Sequence, residues 1–250
     1  MLYQQLKSPK TTTQQNQDST YNMATIGGSN IVRSGLLMEL DAANAKSYIG
    51  SGTAWNDVSS INNNGTLTNS TTFSTEGGGN ILFNGTDSYT VTPLVTSAIT
   101  NITMQVWVKV ILNKKGPFIR NGGGVNGYAI GIGNVDFDAN GNNIIMLFPG
   151  IRWITTGVSY ATAGWKLVTM TLNASSVPSA YINDTLIGSY AGTSPAIPTI
   201  GTYLARNVGD ETTPFRAYGG NIACAYFYNR VLSLAEITQN YNAGKSRFGL

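Results

Sequence analysis

Histidine is missing from this chain altogether, and cysteine occurs once. Without histidine the usual general base and the commonest metal ligand are both gone. A lone Cys224 excludes an intrachain disulfide framework. Its setting in the apolar run Ile222–Tyr228 predicts a packed, inert thiol. Charge is sparse as well, with only 11% of the 250 residues charged. The 15 basic residues outnumber the 12 acidic ones but are scattered, Lys114-Lys115 being the densest pair. Nucleic-acid binding calls for a basic stripe interleaved with stacking aromatics, and none is visible. No apolar stretch approaches the roughly 20 residues of a membrane span. The opening Met1-Leu-Tyr-Gln-Gln-Leu-Lys7 lacks the apolar core of a signal peptide, which predicts a protein made in the cytoplasm and released without ordinary secretion.

What fills the chain instead is Gly, Asn, Thr and Ser. Gly and Asn supply the positive-φ conformations that tight turns between short strands require. Residues 1–30 differ from the rest: Lys7–Thr20 is polar, has no apolar periodicity and cannot fold alone. The expected division is an extended N-terminal arm over 1–30 and a β-domain over 31–250. One all-β sandwich can use that length as a single domain.

From Gly35 onward the alternation is that of strands. In Thr103–Ile111, Met104, Val106, Val108 and Val110 fall on one face and Gln105, Trp107, Lys109 and Ile111 on the other. Trp165–Leu172 and Ser179–Ile182 follow, the latter turning at Asn183-Asp184 into Thr185–Tyr190 as a hairpin. Further strands are predicted at 80–83, 88–92, 128–132, 144–148, 200–204 and 222–228. Short strands at this spacing argue for a sandwich or jelly roll. One helix is predicted near the C-terminus, where Ser233 and Glu236 are spaced as a capping box. Leu232 and Ile237 are spaced as a hydrophobic staple. Gly244 is placed to end that helix in the left-handed conformation.

Three segments carry a family resemblance. Gly35–Asp57 with Asn62–Leu67 resembles the opening of the laminin-G-like domains of tailed-phage structural proteins. Ile81–Tyr89 is similar to their next element, and Tyr228–Ala243, with Arg247–Leu250, to their closing strand and helix. The resemblance covers roughly residues 30–250. It implies an all-β, concanavalin A-like (laminin-G-like) jelly-roll sandwich with one short C-terminal helix. It also implies a virion-surface protein: a capsid decoration, head fibre or tail-fibre component made in the host cytoplasm. Its partners would be other virion proteins, bound through residues 1–30, and host or environmental glycans. Analogy with fibres suggests a homo-oligomer, a trimer. This sandwich hosts lectins, glycanases and adhesive modules alike, so fold alone does not choose among them.

The glucanases of this fold resemble one another in a Glu-x-Asp-x-Glu run on one groove strand. Here Glu39-Leu-Asp41 is followed by Ala43 where the third acid belongs, which predicts a protein that is not an enzyme. Asp41 is expected to bond the local loop backbone. Asp136-Phe-Asp138-Ala-Asn140-Gly141 matches the first half of a calcium loop, with Asp136, Asp138 and Asn140 as oxygen ligands. Leu147 stands where that motif needs a bidentate Glu. Asn140-Gly141 also reads as a type I′ hairpin turn between strands 134–138 and 143–148. No other cofactor is indicated. Sugar stacking needs exposed loop aromatics, and Trp55, Tyr128, Trp153 and Tyr160 are the candidates because Gly or polar residues surround them. Trp107 and Trp165 read as core. The competing functions are a soluble carbohydrate-binding lectin and, with less support, a glycan hydrolase.

Overall fold

The computed structural model describes residues 30–94, 96, 100–111, 115–123, 126–133, 141–147, 153–160, 164–191, 196–208 and 217–250. The strands, in chain order, are β1 Leu36–Asp41, β2 Ala54–Trp55, β3 Gly65–Thr68, β4 Thr72–Ser74, β5 Asn80–Asn84 and β6 Tyr89–Thr92. Then come β7 Ile102–Val110, β8 Gly116–Asn121, β9 Tyr128–Gly133, β10 Asn143–Leu147 and β11 Trp153–Ser159. The last five are β12 Trp165–Leu172, β13 Pro178–Ile182, β14 Thr185–Ser189, β15 Thr202–Leu204 and β16 Gly219–Tyr228, followed by helix α1 Leu234–Lys245. Sheet A orders them β14-β13-β12-β7-β16-β5-β4, with β1 also paired to β16. Sheet B runs β11-β10-β9-β8-β15-β6-β3-β2. Every strand pairing described is antiparallel. The predicted jelly-roll-type sandwich is what forms.

The alternation in β7 decides what each face of sheet A does. Met104, Val106, Val108 and Val110 enter the main core between the sheets, with Ile130, Ile132, Ile144 and Met146 of sheet B. Burying each such side chain is worth ~1.5–3 kcal/mol. Trp107, on the opposite face, joins a second cluster with Trp165, Leu167, Tyr228, Leu232 and Ile237 beneath α1. The β13–β14 hairpin turns where predicted, with Asn183 at φ 58°. β10 pairs with β9, which ends at Gly133, so residues 134–142 connect them. The predicted strand 134–138 lies outside the described residues.

Helix α1 begins as its sequence requires. Ser233 is the N-cap, its side chain accepting from the Glu236 N–H, and the Glu236 side chain reaches back to complete the capping box. Arg230 holds that carboxylate through Nη2–Oε1 at 2.7 Å and Nη1–Oε2 at 2.9 Å, which with the cap pushes its pKa down to about 2. The C-terminal end departs from expectation. Gly244 does not stop the helix but sits inside it. A Cβ there would lie 2.7 Å from the Trp107 Nε1 and 2.9 Å from two ring carbons, so only glycine lets the helix lie flat on that indole. The left-handed residue is Gly249 (φ 71°), after a 3-10 turn over Ser246–Phe248.

A buried amide pins the helix to sheet A. Asn240 accepts from the Val32 N–H at 2.7 Å and donates to the Gln105 Oε1 at 2.6 Å and the Tyr228 hydroxyl at 3.0 Å. Gln105 donates onward to Thr169 Oγ1 at 2.9 Å.

Candidate functional site

Because strand residues alternate between faces, the registers of sheet B fix one row across its outer surface. Thr66 of β3 pairs with Val91 of β6, and Val91 with Tyr203 of β15. Tyr203 pairs with Arg120 of β8, which pairs with Ala129 of β9. Ala129 faces Leu147 of β10, and Leu147 faces Trp153 of β11. The row changes character along its length. Ala129, Ile145, Leu147 and Trp153 form a closed apolar cluster of their own. Toward β3 it opens: Val91 and Tyr203 are half-buried and Thr66 is exposed.

At that open end Tyr89, two residues before Val91 and so on the same face, lies 6.0 Å from the Tyr203 ring at a 37° tilt. The Arg206 guanidinium sits 4.5 Å from the Tyr89 ring centroid. Arg120 is buried in the middle of the row, donating from Nε to the Gly122 carbonyl at 3.0 Å and from Nη1 to Asn207 Oδ1. Two half-buried phenol rings beside cationic groups can stack on an apolar ring face while donating to oxygens at its edge.

The four loop aromatics predicted for sugar stacking are not presented that way. Trp55, Tyr128 and Tyr160 are fully buried and Trp153 is 7% exposed. Tyr128 hydrogen-bonds Thr96 at 2.5 Å, and Tyr160 donates to the Gly164 and Val108 carbonyls. Burial pushes both phenols well above the usual tyrosine range. Glycine neighbours suggested exposure at these positions, but Trp55, Tyr128 and Tyr160 turn into the core between the sheets and Trp153 is covered within the apolar cluster on the outer face of sheet B, since large rings gain much from burial. Trp107 and Trp165 are core, as predicted.

Glu39 and Asp41, i and i+2 on β1, share the outer face of sheet A beside β16. Each is taken up by an arginine: Arg33 pairs with Glu39, and Arg247 Nη1 with Asp41 Oδ1 at 2.8 Å. Burial pushes the Glu39 carboxyl up, against the pull of Arg33. Asp41 also accepts from the Ala43 N–H at 2.9 Å, the predicted loop bond. Asp57 is wholly structural, accepting the N–H groups of Glu39, Ser59 and Asn63 at 2.8 Å each. Cys224 is buried, and burial raises its thiol far above the usual range, as fits an inert residue. Asp136, Asp138 and Asn140 lie outside the described residues. Among the described residues no group of three His, Cys, Asp or Glu side chains is arranged to hold a metal, and no helix is long and apolar enough to cross a membrane.

Several solved structures share the architecture. Domain 4 of AbnA, an extracellular arabinanase from Geobacillus stearothermophilus solved with arabinotriose, superposes with TM-score 0.62 at 17% identity, over 83% of this chain and 98% of that one. Trypanosoma rangeli sialidase in complex with sialic acid matches with TM-score 0.62 at 18% identity, over 86% of this chain. The botulinum neurotoxin type G receptor binding domain matches with TM-score 0.60 at 16% identity, over 83% of this chain. This chain spans 34% of the sialidase and 51% of the toxin domain. No curated protein sequence matches it. A family model described as the concanavalin A-like lectin/glucanases superfamily matches residues 83–238, more than half the chain. On that match and on the two-sheet topology, the chain belongs to the concanavalin A-like lectin/glucanases superfamily.

Proposed function

We propose that this chain is a non-catalytic glycan-binding module of a tailed-phage virion surface, held on the particle by its first 30 residues. The observation that carries the glycan reading is the open end of the sheet B row, where the half-buried Tyr89 and Tyr203 rings lie 6.0 Å apart on one face. The sugar-bound arabinanase domain of the same architecture adds support by analogy. The non-catalytic reading rests on the carboxylates. A glycosidase needs one carboxyl free to protonate and another free to attack or to activate water. On β1 both acids are bound to arginines.

The anchoring reading rests on sequence and on where the arm joins the domain. Residues 7–20 are polar and aperiodic, material that orders only against a partner. Asn30 and Val32 are held by α1 on the outer side of sheet A. An arm leaving there would hold the particle while the sheet B face points away from it.

A glycan array probed with the full chain and with Tyr203→Ala tests the first half. Binding by the full chain that the variant loses supports it, and uniform silence leaves only a structural role. Deleting residues 1–30 tests the second, since a truncated domain that still joins virions at normal occupancy would sink the anchoring arm. Release of sugar from any polysaccharide tried would overturn the non-catalytic reading. Calcium at Asp136, Asp138 and Asn140 predicts a melting-temperature rise with millimolar calcium that a chelator reverses, and no shift removes it.

A further inference from the structure

Five Asn-Gly pairs occur in the chain. In such a pair the glycine nitrogen can close on the asparagine carboxamide, because glycine has no Cβ to obstruct the approach. Four of the pairs lie among the described residues, and their geometries differ. Asn121 is buried at the end of β8, donating from Nδ2 to the Leu94 carbonyl and to Thr202 Oγ1. Asn64 and Asn126 have their Oδ1 atoms turned back along the chain, accepting from the Asp57 N–H at 2.9 Å and the Gly123 N–H at 2.9 Å. The Gly127 N–H is also taken, by the Ala196 carbonyl at 3.0 Å.

Asn84, the last residue of β5, is arranged the other way. It is exposed, and its Oδ1 points forward along the chain. It accepts from the N–H groups of Thr86 at 2.8 Å, Asp87 at 3.1 Å and Ser88 at 3.2 Å. Those bonds fold the carboxamide over the Gly85 peptide that follows it. Among the described residues no acceptor takes the Gly85 N–H. The three N–H groups surround the oxygen that would become negative in a tetrahedral intermediate, as an oxyanion hole does. The nitrogen that would leave is held too, Nδ2 donating to Asp87 Oδ1 at 2.7 Å. Asp87 is exposed, so its carboxyl can relay a proton from solvent.

We propose that Asn84 is a self-modifying site, converted to aspartate or isoaspartate through a cyclic imide formed with Gly85. The Gly85 nitrogen loses its proton to solvent base and bonds to Asn84 Cγ, while the C=O π electrons move onto Oδ1. Collapse of that oxyanion breaks the Cγ–Nδ2 bond, and the nitrogen takes a proton through Asp87 and leaves as ammonia. Water then opens the imide at either carbonyl, so one amide and one water become one carboxylic acid and one ammonia. Opening at Cγ leaves aspartate. Opening at the main-chain carbonyl leaves isoaspartate, with an extra carbon in the backbone where β5 pairs with Gly219. The site does not depend on the glycan reading of the sheet B face.

The test incubates the full chain at mildly alkaline pH, folded in one arm and in concentrated urea in the other, and maps its peptides by mass spectrometry. In urea the five pairs, alike in local sequence, should convert at similar rates. In the folded chain Asn84 should convert about tenfold or more faster than Asn64 and Asn126, and no slower than it does in urea. Asp87→Ala should slow conversion at Asn84 by about tenfold and leave Asn64 unchanged. The inference is overturned if folding slows Asn84 as it slows the other pairs, or if Asn64 or Asn126 converts first. A rate at Asn84 in Asp87→Ala equal to the parent's overturns it as well.

Discussion

The two outer faces of the sandwich solve the same problem differently. Sheet A is covered by a helix that the chain's own C-terminus supplies, with Asn240 tying helix, sheet and the segment at Val32 into one buried network. Sheet B has no such helix among the described residues. Its outer row runs from the closed apolar cluster at Trp153 to a half-open patch of Tyr203 and Tyr89. A face sealed by hydrogen-bonded packing contributes stability, whereas one left half-open keeps surface available for a partner. Substitutions should therefore separate into two kinds, folding effects on sheet A and binding effects on sheet B.

The largest effect is expected at the network. Asn240→Leu leaves Gln105, Tyr228 and the Val32 N–H short of partners and should cost about 3 kcal/mol. Thermal unfolding followed by circular dichroism would show a melting point lower by roughly 8 °C. Gly244→Ala should come next, at about 2 kcal/mol, because the methyl group meets Trp107. A gain instead, as helix propensity alone predicts, would mean that the helix can lift off the indole. On the other face, Tyr203→Ala should reduce glycan affinity about fivefold to tenfold, with little change in melting. A large stability loss there would break the contrast between the faces. Ser233→Ala, read by urea unfolding, should cost about 1 kcal/mol through the lost cap.

The smallest effect concerns pH. The folded pKa of Glu236 lies at about 2, below its ordinary value of 4.5. Its contribution to stability is therefore complete above pH 4.5 and lost as pH falls toward 2. Glu39 has the opposite sign: burial raises its pKa above the ordinary value, so its ionisation costs stability at higher pH and that cost is relieved as pH falls. Glu236→Gln should lower stability at neutral pH and flatten the decline between pH 4.5 and 2. An unchanged acid limb would remove the Arg230–Glu236 pair from the stability of this face.

Much of the fold was legible because local signals and global packing agree. The two faces of Thr103–Ile111 were plain in its alternation, and the box at Ser233 and Glu236 lies within four residues. What failed was long-range. Gly244 looks like a helix stop unless Trp107, far away in sequence, is known to lie against it. The loop aromatics were misread because neighbouring glycines predict a turn, not the direction a ring takes from it. Tyr89 and Tyr203 were missed because nothing local says that β6 and β15 are neighbours. Their alternation placed each on a face, and only the register joined the faces.

The fastening at the start of the domain has a mechanical consequence. The Asn30 carbonyl accepts from Gln239 Nε2 at 2.7 Å, and the Val32 N–H is held by Asn240, a partner 208 residues away in the chain. A pull on residues 1–29 would load the last helix first and pass through Tyr228 and Gln105 into the middle strands of sheet A. The two ends of the domain would therefore bear tension together, and a load entering at Asn30 would reach the Tyr89–Tyr203 face only after crossing the core.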